Sequence, residues 1–210
     1  MQKESTLYSR RTFLKVSALT GGGMVLGAHW LRSALPVTVA DEAALAERPQ
    51  DWYVFNNYIR ITADNAVEIL AQNPEFGQNV TTSLPMIVAE ELDVDWSKVV
   101  VKQAPYDNSR FVRQLAGGSQ AVRSTWKPLR EAGAAARQML REAAAQSWGV
   151  PAGEVTTKAG YLYHEKTGKS ATYGEMASAA VNVPVPKEVQ LKDVRQLQIV
   201  RTSRKNVEGL

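Results

Sequence analysis

Two short glycine-bearing segments hold the residues best suited to gripping a ligand: Glu75-Phe76-Gly77-Gln78-Asn79 and Gly117-Gly118-Ser119-Gln120-Ala121. Glycine lets a backbone take positive φ and approach a ligand closely. Each segment lies ahead of a stretch with helical character. Amides at a helix start point toward an anion such as a phosphate and favour it electrostatically. Gln78, Ser119 and Gln120 add side-chain donors able to read a polar heterocycle. Neither segment has Gly-x-Gly-x-x-Gly spacing or a Walker lysine, so neither is a nucleotide fingerprint. Taken alone, each is more ordinary as a surface turn than as a binding loop.

Other chemistry is sparse. The chain has no cysteine, which excludes disulfides, Cys-ligated zinc and cluster-binding thiolates within it. Of its two histidines, His29 lies near the N-terminus and His164 beside a hairpin turn, where it reads as a surface residue. Glu75, Glu90 and Glu91 read as solvated or capping carboxylates. No catalytic residue and no metal ligand is assigned.

The elements that must position the two segments follow from periodicity. Trp52–Thr62 and Val67–Ala71 form a β-hairpin around Ala63-Asp64-Asn65. Thr81–Leu92 is a helix, with Thr81, Thr82 or Ser83 as cap, Pro85 in the first turn and Met86, Val88, Ala89 and Leu92 as its apolar stripe. Val99–Val101 reads as a short strand of the buried type. Residues 104–124 form a long polar loop, a length more often functional than idle. Pro128–Trp148 is the strongest helix, with Leu129, Ala132, Ala136, Met139, Leu140, Ala143 and Ser147 on one face and Gly149 and Pro151 at its stop. Two short strands, Val155–His164 and Ser170–Thr172, precede a capping box at Thr172–Glu175 that opens a small helix through Ala180. The fold class is α/β: a short mixed sheet with two main helices.

The N-terminus carries an address. Ser9-Arg10-Arg11-Thr12-Phe13-Leu14-Lys15 fills every position of a twin-arginine export signal. Val16–Leu31 is weakly apolar and broken by glycines, and Thr38-Val39-Ala40 offers a cleavage site. Residues 1–40 therefore read as a signal peptide, 41–51 as a linker, 52–182 as the domain and 183–210 as an extended C-terminal linker without a packed-core pattern. The expected location is the periplasm. The chain has 25 Lys and Arg against 21 Asp and Glu; residues 1–40 hold five of the former and one of the latter, leaving 20 of each. A neutral mature chain has no electrostatic support for binding nucleic acid.

From Tyr58 to Thr172 the chain resembles the N-terminal part of the molybdenum-cofactor-binding subunit of the xanthine dehydrogenase/aldehyde oxidase family, in its exported isoquinoline 1-oxidoreductase β-subunit branch. The matching stretches are Glu75–Thr82, Leu84–Trp96, Gly117–Gln120, Leu129–Arg137, Trp148–Pro151 and Ala171–Glu175. The resemblance implies the N-terminal half of an aldehyde oxidase/xanthine dehydrogenase-type molybdopterin-binding domain. It implies that Gly77, Gln78 and Asn79 contact the pyranopterin, and that Gly118, Ser119, Gln120 and Ala121 hold the dithiolene or phosphate region. The family has a second glycine where this chain has Asn79. The implied cofactor is molybdenum–molybdopterin in its cytosine dinucleotide form, shared with a C-terminal half that supplies further cofactor loops and the catalytic glutamate.

The expected activity is oxidation of an N-heterocycle or an aldehyde, with electrons passed to a small [2Fe-2S] subunit. A second polypeptide is expected to supply the rest of the domain, and the chain alone is expected to be silent. A non-catalytic cofactor-binding or assembly module, or a truncated remnant of such an enzyme, are the alternatives.

Overall fold

The computed structural model describes residues 52–111 and 113–207, all within one compact unit; the signal and linker expected over 1–51 lie outside them. Strand β1 (Tyr53–Val54) pairs antiparallel with β2 (Ile59–Ile61), and β2 with β3 (Val67–Ala71). The expected single strand over 52–62 is thus split. Asn56 Oδ1 accepts the N–H groups of Tyr58 and Ile59, an Asx turn that competes with the ladder. Helix α1 (Val80–Leu92) then crosses over to β4 (Val99–Gln103), which pairs with β3 in parallel, Val67 opposite Val99 and Ala71 opposite Gln103. The sheet order is β1-β2-β3-β4.

β4 differs from the buried strand expected of three consecutive valines. It lies at the sheet edge, and Val100 is 46% exposed. The central strand β3 is the buried one, and even Glu68 within it is fully covered. Glu68 is held by Arg60 at 2.9 Å and Lys102 at 2.7 Å, one from each neighbouring strand.

Helix α2 (Ala121–Trp148) lies against α1 and buries Leu129, Ala136, Met139, Leu140 and Ala143 of the stripe read from sequence, while Ala132 is half-buried and Ser147 exposed. Its alanines and Gly133 permit a close crossing. A Cβ on Gly133 would stand 2.5 Å from the Val88 carbonyl oxygen and 3.1 Å from the Leu92 nitrogen. The helix starts at Ala121 rather than at Pro128. Proline removes one backbone N–H, which favours the first turn; here buried Thr125 and Leu129 and the Ser124 N–H bond to Gln120 hold the helix through it. Pro85 likewise sits inside α1, not in its first turn.

A second sheet, β5 (Thr156–Lys158), β6 (Tyr161–His164) and β7 (Lys169–Thr172), is an antiparallel meander. It leads into α3 (Tyr173–Ala180) through the expected capping box: Thr172 Oγ1 accepts the Glu175 N–H, and the Glu175 carboxylate accepts the Thr172 N–H. His164 is buried rather than superficial. Its ring nitrogens lie 2.8 Å from Thr167 Oγ1 and 2.9 Å from Glu154 Oε2. Lys166 and His164 together hold the Glu154 carboxyl below its usual range.

The C-terminal segment corrects a larger expectation. Instead of a linker without core residues, it runs along α1 and buries Leu197 and Ile199. Its attachment explains why Glu90 and Glu91 are buried and not solvated. Glu90 accepts the N–H groups of Gln198, Ile199 and Val200. Glu91 pairs with Arg130 at 2.6 Å and Arg137 at 3.6 Å and accepts the Lys192 N–H. A buried carboxylate is tolerated only when bonded in this way.

Candidate functional site

Because β3 and β4 are parallel neighbours, their carboxyl ends lie on one edge of the sheet. The loop leaving β3 (74–79) ends at the N-terminus of α1, and the loop leaving β4 (104–120) at the N-terminus of α2. This edge of an open α/β sheet is where ligand clefts form. The two segments singled out in the sequence meet there: Phe76, Gln78 and Val80 face Gly117, Ser119 and Gln120 across an open cleft of about 360 Å³ that Ala121 also lines.

The first loop is tightly wired. Gly77 has φ +107°, a region that favours glycine. Asn79 caps α1 in the left-handed conformation at φ 63°, with no side-chain capping bond. The expected Thr81, Thr82 or Ser83 cap is replaced by this residue and by Glu75. Asparagine tolerates this conformation better than most other side chains do. Its side chain accepts a hydrogen bond from Asn206 Nδ2 at 2.6 Å, which ties the end of the C-terminal segment to the site. Glu75 accepts N–H groups from Gly77, Asn79 and Thr81 at 2.7, 3.0 and 3.0 Å. Those bonds, the one from Thr81 first, lower its carboxyl to about 2. Gln78 folds back: its Oε1 accepts the Phe76 N–H and its Nε2 donates to the Pro74 carbonyl. One N–H and one lone pair of that amide remain for a ligand.

The second loop is held at its stem. Phe111 is buried and meets Tyr58 edge-on, ring centroids 5.4 Å apart. Asn73 Nδ2 donates to the carbonyls of Arg113 and Leu115, joining the two loops, and Gln114 Nε2 donates to those of Gln72 and Pro105. Asn73 and Gln114 carry no motif. The only sequence signal for them was their polarity beside Pro74 and inside a long loop. The tip differs. Gly118 and Ser119 have positive φ, and among the described residues the side chains of Ser119 and Gln120 make no hydrogen bond within the protein. No side chain caps α2 and no acidic residue stands in its first turn. Among the described residues no cluster of three or more His, Asp or Glu could hold a metal ion directly.

A parallel β–α–β step with two glycine-bearing loops meeting at one edge defines a ligand-cradling α/β domain. The chain belongs to the molybdopterin cofactor-binding domain family, whose profile matches residues 24–207. It is 43% identical over 135 residues to the isoquinoline 1-oxidoreductase subunit beta of Brevundimonas diminuta, covering 61% of this chain and 17% of that protein. It is 28% identical over 180 residues to the membrane-bound aldehyde dehydrogenase [pyrroloquinoline-quinone] of Gluconacetobacter polyoxogenes, covering 84% of this chain and 22% of that one. The chain therefore spans about a fifth of the curated relatives it matches. Among solved structures, quinoline 2-oxidoreductase from Pseudomonas putida 86 aligns with 60% of this chain and 16% of its own, at 21% identity and a TM-score of 0.47. A Cβ at Gly77 or Gly117 would meet nothing within 4 Å, so both glycines border open space beside uncommitted donors.

Proposed function

We propose that the chain is the N-terminal portion of a periplasmic molybdenum hydroxylase large subunit, exported by the twin-arginine route, that oxidises an N-heterocycle or an aldehyde. The observation that carries this reading is the meeting of the two loops in one cleft at the carboxyl ends of two parallel strands, where Gln78 faces Ser119, Gln120 and Ala121, while Gly77, Asn79 and Gly118 belong to the same loops without lining it. Gly77 permits close approach of the pyranopterin, and the spare N–H of Gln78 donates to it. Asn79 keeps the turn in register. The amides and side chains of Gly118, Ser119, Gln120 and Ala121 suit the dithiolene and phosphate region, favoured by the positive start of α2. When bound, the molybdenum cofactor, in its cytosine dinucleotide form, supplies a two-electron oxidation with water as the oxygen source.

The three carboxylates weighed as candidates, Glu75, Glu90 and Glu91, are committed elsewhere. Glu75 holds its own loop, Glu90 the C-terminal segment and Glu91 the arginines of α2. None of the three is free to act as a base, so we place the catalytic glutamate in the remainder of the cofactor domain. A cysteine-free chain leaves the electrons to a small [2Fe-2S] subunit. Purified 1–210 is expected to turn over no heterocycle or aldehyde, while the assembly isolated from periplasm carries molybdenum and pterin in equal amounts. Turnover by the chain alone would sink the partition of the site, and a metal-free assembly would sink the cofactor reading.

A further inference from the structure

Glu75 does more than cap a helix. Its Oε1 takes the N–H groups of Gly77 and Asn79 and its Oε2 that of Thr81, so one carboxylate spans the turn and the first turn of α1. Gln78 is set by the same turn, through Phe76 and Pro74. Gly77 at φ +107° has more conformational freedom than any other residue type, and without the tie that freedom would have to be lost on binding.

We propose that Glu75 is a positioning residue for the cofactor: its carboxylate fixes the Gly77–Gln78 backbone in a ligand-ready form without touching the ligand. This rests on the cofactor reading above. The carboxyl stays ionised across the physiological range, its value lowered to about 2 by the three amides. The neighbouring loop is built differently: its carboxylate, Asp107, accepts the Ser109 N–H at the stem, and no side chain caps the start of α2. The two sides of the cleft therefore receive a ligand differently, one already ordered and one with free donors.

The test compares wild type, Glu75→Ala, Glu75→Gln and Glu75→Asp, purified natively from the protein's own host. Three quantities are read: hydrogen–deuterium exchange over residues 74–82, molybdenum per polypeptide, and the thermal midpoint. Loss of charge-assisted bonds in Glu75→Ala raises exchange over 74–82 by about ten-fold or more. Molybdenum falls several-fold, while α2 protection and the midpoint hold. Glu75→Gln keeps one acceptor and is intermediate; Glu75→Asp restores a carboxylate one methylene short and recovers part of the molybdenum. Faster exchange with unchanged molybdenum overturns the proposal, as does unchanged exchange. A fall in molybdenum that merely tracks the midpoint across all variants overturns it too, because the role is then structural. Wild-type protein without molybdenum defeats the cofactor reading itself, and that result is read before any variant is made.

Discussion

The two loops that bound the cleft leave adjacent strands and end at helix starts, yet they are built on opposite plans. The 74–79 loop turns its polar groups on itself: Glu75 takes three amides, Gln78 bonds at both ends of its carboxamide, and Asn79 is tied to Asn206. The 104–120 loop spends its polar groups at the stem, through Asn73, Gln114 and the buried Phe111, and leaves Ser119 and Gln120 uncommitted at the tip. A short loop with a left-handed residue at its end needs internal anions to fill the α1 amides. A longer loop can be clamped far from its tip and present that tip unfilled. The contrast assigns pre-organisation to one wall of the cleft and adaptable donors to the other.

The largest test removes the footing common to both. Gly133 lies where α2 crosses α1, and a side chain there would drive into the Val88 carbonyl and the Leu92 amide. Gly133→Val should destabilise the domain by about 1–3 kcal/mol through overpacking. For a domain of this size each kcal/mol corresponds to roughly 2–4 °C in the melting temperature. Hydrogen exchange should rise in both loops together, since both end on these helices. A rise confined to one loop would show that the other is independent of the helix crossing, and the contrast would have to be redrawn.

How much of this was legible before the fold was known follows from range. Both loops could be placed because glycine, glutamine and a following apolar period are local signals, and the same holds for the Thr172–Glu175 capping box. The start of α2 was misplaced because Pro128 imitates a first-turn proline, while the support that overrides it comes from burial of Thr125 and Leu129. The docking of 183–207 was invisible for a different reason. Its main grip is backbone N–H groups on Glu90 and Glu91, and backbone carries no sequence pattern. The same two carboxylates looked solvated because their partners lie 39 to 110 residues away along the chain. His164 was misjudged likewise, its partner Glu154 being across a meander that only pairing reveals.

A smaller test separates the loops. Asn73→Ala removes the Nδ2 bonds to Arg113 and Leu115, at 3.3 and 3.0 Å, and leaves two carbonyls to find other donors. Two neutral bonds amount to about 1–2 kcal/mol. Asn73 Oδ1 has no hydrogen-bond partner among the described residues, so losing it relieves a buried acceptor and trims the total. Exchange should quicken over 104–120 and stay level over 74–82, where Glu75 remains bonded. Equal loosening of both loops would mean that Asn73, rather than Glu75, organises the first one.

The smallest effect on stability falls on the residues with most to say about function. Ser119→Ala and Gln120→Ala delete side chains that bond to nothing among the described residues, and exposed positions of that kind change stability by about 0.5 kcal/mol or less. Ser119 has φ 54°, so alanine inherits a strained backbone that serine already tolerates and adds little further strain. The melting temperature of the double variant should therefore match wild type. Molybdenum per polypeptide should fall, because donors held free at a helix start gain value only from a ligand. If the melting temperature drops by several degrees, the tip is wired internally after all, and the two walls of the cleft are alike. If stability and molybdenum both stay level, the tip is an ordinary exposed turn and the grip on the anionic end of the cofactor lies elsewhere.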